Sequence, residues 1–238
     1  MAIKIKQVIP ITEDFLMDDV TRSYIGKYLD RDTIVELSQI KQGAASIESE
    51  YDEAISAPHV IELCKKAEAD GADGIFVDCF GDPGVRAARE CVDIPVFGGF
   101  EPAVHLALGL SDKIGIVTVL DNVIPMIEGN IAKAHLGGRV VSVRSVDMPV
   151  LELEDSSKLS EKLIIESKAA IEEDHVGAVV LGCTGMVDVA ENVRAALYDM
   201  GYDVPVIEAA QAALNMVELY AKMGLKQSRI TYMKPREK

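Results

Sequence analysis

The sequence predicts an α/β fold of two pseudo-symmetric lobes, each a mostly parallel sheet flanked by helices, with the active site in the inter-lobe cleft. Three observations predict it. Strand-like and helix-like segments alternate along all 238 residues, the pattern of parallel sheets joined by helical crossovers. Several strand candidates are short and apolar throughout, as strands covered on both faces are. One stretch also recurs, since Asp93-Ile94-Pro95-Val96-Phe97 returns as Asp203-Val204-Pro205-Val206-Ile207. Element count alone admits a closed eight-stranded barrel; the repeat favours two related lobes.

The strand candidates of the first half are Ile3–Ile9, Thr33–Leu37, Gly74–Asp78 and Pro95–Phe97. Those of the second half are Ile114–Leu120, Val140–Val146, Ala178–Leu181 and Val204–Ile207. Helix candidates fill the intervals at Asp14–Leu29, Pro58–Asp70, Pro83–Cys91 and Pro102–Leu110, then at Asn122–Leu136, Lys158–Glu173, Val189–Met200 and Ala209–Met223. Within Pro58–Asp70, Val60, Leu63, Cys64 and Ala67 share one helical face. The repeat stays in register beyond the strand, pairing Glu101 with Gln211, Ala103 with Ala213 and His105 with Asn215. Upstream, Gly74–Cys79 pairs with Gly177–Cys183, so each copy has a strand that ends near a cysteine and a glycine. Ligands of open α/β sheets bind beyond the carboxyl ends of strands. Both cysteines fall there.

Composition narrows the function classes. Twenty-four Lys+Arg against 39 Asp+Glu give a net charge of −15, which argues against nucleic acid as a partner. Hydrophobic residues at 49% and charged residues at 26% are those of a globular chain. No apolar run approaches the roughly 18 residues of a membrane span. The opening Met1-Ala2-Ile3-Lys4-Ile5-Lys6 alternates where a signal peptide would be continuously apolar. Four cysteines without a short disulfide spacing point to the reducing cytoplasm.

The two corners carry the chemistry. In Cys79-Phe80-Gly81-Asp82-Pro83-Gly84, Gly81 suits a tight turn, Asp82 a helix N-cap and Pro83 the first helical position. A helix starting there would aim free backbone N–H groups at the thiol, lowering its pKa and offering donors to an oxyanion. Cys183-Thr184-Gly185-Met186 repeats the arrangement, with Asp188 and Glu191 as a helix-start signal. Two opposed thiols suit inversion of a carbon acid. One thiolate removes a proton, the other thiol returns one to the opposite face, and hydrogen-bond donors hold the enolate between.

Gly43-Ala44-Ala45-Ser46-Ile47-Glu48, Tyr51-Asp52-Glu53-Ala54 and the two cysteine motifs resemble the hydantoin racemase branch of the aspartate/glutamate racemase superfamily, which includes allantoin racemases. The resemblance covers nearly the whole chain. It implies a cofactor-independent racemase acting on a small molecule, with Cys79 and Cys183 as the opposed acid/base pair; the residues themselves argue against a metal, because the thiols lack a partner pair at ligand spacing and the sequence has no His cluster. It also implies substrate contacts from Pro10, Thr12, Phe80, Gly81, Thr118, Val119, Thr184 and Gly185, and a homo-oligomer. Residues 1–97 plus about 210–238 would form the lobe carrying Cys79, and 98–209 the lobe carrying Cys183. The chain departs from the family at Ile9-Pro10-Ile11-Thr12, where Asn-Pro-Asn-Ser/Thr is usual, and at Thr118-Val119, where Thr-Thr is usual. Those changes suggest a less polar ligand than allantoin, with a 5-substituted hydantoin or related cyclic ureide first.

Three other readings stand beside this one: an aspartate/glutamate-type amino-acid racemase, a cysteine-dependent lyase or cis–trans isomerase on the same scaffold, and a small-molecule binding protein. Cys64 and Cys91 read as core filler, the four histidines as structural or surface residues, and Glu161–Glu173 as a solvated helix face. Gly98-Gly99 lacks a nucleotide fingerprint. Glu208 reads as a helix cap or a cleft residue.

Overall fold

The protein is described by a computed structural model over residues 2–13, 23–24 and 26–236. Strands β1 (Lys4–Ile9), β2 (Ile34–Gln39), β3 (Gly74–Val77) and β4 (Val96–Phe97) form one sheet in the order β2-β1-β3-β4. Strands β5 (Ile114–Thr118), β6 (Val140–Ser145), β7 (Ala178–Leu181) and β8 (Val206–Glu208) form a second in the order β6-β5-β7-β8. Every pairing is parallel. Two separate sheets replace the barrel alternative, and their orders are the same permutation, the repeat seen in sequence. The central strands β3, β5 and β7 are buried along their whole length, whereas edge strand β2 is only partly covered. That difference is why the central strands read as unbroken apolar runs.

Helices follow as α1 (Glu50–Ala69), α2 (Val85–Cys91), α3 (Phe100–Leu108), α4 (Ile124–Lys133), α5 (Ser156–Asp174), α6 (Ala190–Asp199) and α7 (Ala209–Lys222). The helix expected over Asp14–Leu29 lies largely outside the described residues. Helix α1 begins eight residues before Pro58, where the sequence placed its start. Ser49 caps it, its hydroxyl accepting from the Asp52 N–H at 3.2 Å, and Pro58 sits inside the helix. The proline was mistaken for a helix start because its fixed φ suits both places.

Each sheet gives one helix to the other. Helices α1 and α2 cover one face of the first sheet, where Val60, Cys64 and Ala88 meet Val8, Ile75 and Val77. The opposite face, with Ile5, Phe76 and Phe97, is covered by Ala210, Ala213, Leu214 and Val217 of the C-terminal helix α7. Conversely, α3 leaves β4 and places Ala103, Val104 and Ala107 in the core of the second lobe. Helices α3 and α7 pack against one another. Their alanines let the backbones approach closely, and the chain crosses between lobes at Gly98-Gly99 and again at Glu208-Ala209. The tail beyond α7 is tied to the first lobe by Arg229, which pairs with Asp93 at 2.6 Å and donates to the carbonyl of Arg89 at 2.9 Å.

Candidate active site

The carboxyl ends of β1, β3, β5 and β7 open into one cavity of about 640 Å³. Ile9, Pro10 and Ile11 follow β1, Asp78 to Gly81 follow β3, Val119 follows β5, and Gly182 to Gly185 follow β7. Both Cys79 and Cys183 line it, one from each lobe. Of the residues expected at the site, Pro10, Phe80, Gly81, Val119, Thr184 and Gly185 also line it.

Thr12 and Thr118 do not. The Thr12 hydroxyl donates to the carbonyl of Ala44 at 3.1 Å. Thr118 is fully buried and donates to the carbonyl of Gly182 at 3.1 Å. Its hydroxyl therefore holds the peptide before Cys183 instead of facing a ligand, because a buried carbonyl there needs a donor.

The Cys79 turn departs from the simple helix-start reading. Helix α2 begins only at Val85, and the left-handed backbone falls on Asp82 (φ 61°) and Gly84 (φ 70°), not on Gly81. Asp82 caps a different helix. Its Oδ1 accepts the N–H of Phe100, the first residue of α3, at 3.1 Å, and this carboxylate fills the space a Cβ on Gly98 would need. Gly99 is pinned in turn, since its N–H donates to the Cys79 carbonyl at 2.9 Å. A Cβ there would stand 2.8 Å from Thr184 Cγ2 and 3.1 Å from Phe80 Cα. Phe80 inserts into the core of the second lobe, edge-on to Phe100 with centroids 5.7 Å apart. The Cys79 turn is thus built from both lobes.

The second corner has a related device. Helix α6 starts at Ala190, and Asp188, at φ 60°, does not act as its cap. The cap is the Glu208 carboxylate, which accepts the Val189 and Ala190 N–H groups at 3.1 and 3.0 Å and the Tyr24 hydroxyl at 3.1 Å. Glu208 thus caps a helix, but α6 and not the α7 that follows it.

Burial governs both thiols. It raises Cys79 well above the ordinary thiol value, opposed by the Gly81 N–H and reinforced by Cys183, Asp82 and Glu53. It pushes Cys183 up to about 11, against the Gly185 and Met186 N–H groups and with help from Asp78 and Glu48. The backbone donors expected from sequence are present, yet desolvation outweighs them. Cys64 is fully buried in α1, where burial drives its thiol to about 12.

Sequence reasoning passed over three parts of the wall. Asp78 directly follows β3 on the cavity wall, Met126 comes from α4, and Val150, Leu151 and Leu153 come from the turn after β6. Only Asp78 left a signal, a carboxylate closing an otherwise apolar strand. Glu48 Oε1 accepts the Val150 N–H at 2.8 Å, fastening that turn to the first lobe. Among the described residues, no three or more His, Cys, Asp or Glu are placed to hold a metal ion, and no helix is long and apolar enough to cross a membrane.

Both the sequence and the fold have known relatives. The chain is 40% identical over 209 residues to a hydantoin racemase of Pseudomonas sp. (strain NS671), covering 87% of this chain and 82% of that one. It superposes on an allantoin racemase from Klebsiella pneumoniae with a TM-score of 0.87 at 32% identity, over 100% of this chain and 95% of the other. An allantoin racemase from Pseudomonas fluorescens gives 0.90 at 28% identity, over 99% and 98%. The Asp/Glu/Hydantoin racemase family model matches residues 16–217. With one cysteine from each of two repeated lobes on a shared cavity, and a family match over most of its length, the protein belongs to the Asp/Glu/hydantoin racemase family and is a racemase.

Proposed function

We propose that the protein racemises a 5-substituted hydantoin or related cyclic ureide by proton transfer between Cys79 and Cys183. The observation that carries this reading is the presence of both thiols on the wall of one cavity, each from the equivalent strand end of its lobe. One cysteine, as thiolate, takes the proton from the stereogenic carbon and becomes a thiol. The other gives its proton to the opposite face and becomes the thiolate, so the next turnover runs in the reverse sense. Charge that develops on the carbonyl oxygen is held by N–H donors of the two turns. The two thiols titrate as a coupled pair.

The raised thiols bear on the substrate. A thiol near 11 costs about 5 kcal/mol to ionise at pH 7. A ring imide, which acidifies its α-hydrogen more than an amino-acid carboxylate does, eases that demand. The wall supports an apolar 5-substituent, since Ile9, Ile11, Val119 and Met126 offer apolar surface and no side-chain partner for a polar one. The setting we propose is the cytoplasm, where free thiols persist. We also propose a homo-oligomer; exposed Leu106 on α3, Leu219 on α7 and Met223 just after it support self-association, and light scattering measures it.

The test is incubation of each enantiomer of a panel of hydantoins, aspartate and glutamate in D2O. Loss of optical rotation with deuterium entering at the stereocentre is expected for the hydantoins, and lost in Cys79→Ser and in Cys183→Ser. Turnover of the amino acids alone, a released fragment, or full activity in either variant would contradict the reading.

A further inference from the structure

Asp78 is the part of the cavity that the two-thiol reaction leaves unused. It directly precedes Cys79, and its N–H continues the sheet by donating to the Val8 carbonyl at 2.8 Å. The residue lines the cavity. One oxygen, Oδ2, accepts from Nε2 of Gln7, a buried residue of β1, at 2.7 Å. The Thr184 hydroxyl, from the other lobe, hydrogen-bonds the carboxylate, and the thiol of Cys183 lies within reach of its charge. Asp78 therefore sits where the two cysteine turns meet.

A cyclic ureide presents carbonyl oxygens and N–H groups, and the two kinds need opposite partners. Donors for the oxygens are abundant in the turns after Cys79 and Cys183. Acceptors for the N–H groups are scarce, because most of the remaining wall is aliphatic. Three carboxylates border the cavity, and Glu13 and Glu154 are exposed, whereas Asp78 is half-buried. It is a fixed acceptor, with Gln7 holding one oxygen. An acid kept from water in this way is raised to about 6 and is largely ionised at neutral pH, so it accepts at the working pH.

Position decides which N–H it serves. If the two thiols flank the stereogenic carbon, the residue adjoining both cysteine turns lies nearest the atoms bonded to that carbon. The ring nitrogen bonded to it is N1; N3 lies beyond a carbonyl. We propose that Asp78 is a substrate-binding residue that accepts the N1–H of the ring, orienting the stereocentre between the thiols, with Gln7 as the residue that positions it. This inference rests on the hydantoin reading above.

The test compares 5-benzylhydantoin with its N1-methyl and N3-methyl derivatives in the wild-type protein and in Asp78→Asn, as ratios of kcat/KM. Loss of a charge-assisted hydrogen bond corresponds to about ten- to a hundredfold. Wild type should therefore prefer the unmethylated compound over the N1-methyl one by at least about tenfold. In Asp78→Asn that preference should shrink toward the value set by methyl bulk alone, while the N3-methyl ratio stays unchanged. Each ratio is taken within one preparation, so a partly folded variant does not distort it. An N1-methyl ratio identical in both proteins, or a loss confined to the N3-methyl ratio, would overturn the assignment of Asp78 while leaving the two-thiol reading intact. Absence of turnover of any hydantoin by wild type would overturn the parent reading and this one with it.

Discussion

Asn130 of α4 donates its side-chain amide to the carbonyl of Gly81 at 3.0 Å, so a helix of the second lobe grips the turn that follows the first lobe's cysteine. The turn carrying Cys79 is therefore held partly by the opposite wall of the cleft. Replacing Asn130 by Ala removes the donor without touching the cavity lining. A single neutral hydrogen bond is worth about 0.5–1.5 kcal/mol, so kcat should fall about two- to tenfold with little change in melting temperature. Steady-state kinetics beside a thermal melt measures both, and an unchanged kcat would show that the turn holds its shape alone.

Gly99 is limited by space and not by backbone conformation. Its φ of −83° suits any residue, but a Cβ would meet Phe80 Cα at 3.1 Å and the Cys79 carbonyl at 3.2 Å. Backbone cannot swing aside as a side-chain tip can. Gly99→Ala should cost about 1–3 kcal/mol of stability and reduce turnover more than tenfold, read by denaturant titration and kinetics. Wild-type turnover would mean that the crossing has slack.

The rate should climb with pH. Only the thiolate removes a proton, and burial places Cys183 near 11 with Cys79 also raised. The thiolate fraction thus increases through the neutral and mildly alkaline range. The logarithm of kcat/KM should rise with slope near one from pH 7 to about 9.5. A plateau already reached at pH 7 would mean that one thiol ionises far more readily than its burial suggests.

Stability should move in the other direction through Asp82. Burial raises its carboxyl to about 7, from an unfolded value near 3.8. Between those values the folded chain binds more protons than the unfolded one, so this group's contribution falls as pH rises from 4 to 7 and is level beyond. The upper bound is about 4 kcal/mol. Asp82→Asn keeps an acceptor for Phe100 and tolerates the left-handed backbone. Its melting temperature should gain on wild type as pH rises from 5 to 8, and parallel profiles would contradict this.

Arg89 is buried against β4 and the C-terminal tail. It donates to the Val96 carbonyl at 2.9 Å and the Tyr232 hydroxyl at 3.2 Å, and pairs with Glu101 of α3. Arg89→Ala leaves Glu101 partly buried without its cation, and losses of about 3–5 kcal/mol follow such a change. Glu101→Gln, which keeps an acceptor, should cost less. Chemical denaturation of both variants orders them.

The strands were legible because parallel strands covered on both faces become short apolar runs, as Gly74–Val77 and Ala178–Leu181 are. The repeat was legible because Asp93–Phe97 and Asp203–Ile207 lead into and enter the equivalent strands β4 and β8. The start of α1 was not, because a proline inside a helix carries the same local signature as one at its beginning. Asp82 was misplaced for a related reason: an acid before Pro-Gly signals a cap, but not which helix it caps. Cys79 and Cys183 stood out by their matching strand ends. The direction of their pKa shifts did not, because helix N–H groups are local while burial depends on residues far along the chain, such as Gly99 against the Cys79 turn and Leu153 against the Cys183 turn. Thr118 was read toward the cavity because nothing local reveals that Gly182 needs its hydroxyl. Asp78 acquires its setting from Gln7 and Thr184, far away in sequence.

The return of α7 to the first sheet has a consequence for synthesis. Until Ala210, Leu214 and Val217 leave the ribosome, Ile5, Phe76 and Phe97 lack the helix that covers them on their side of that sheet. The nascent N-terminal half therefore carries an incompletely covered apolar surface while the second sheet is being made. Its native packing is completed only when α7 has been made and threads back over it.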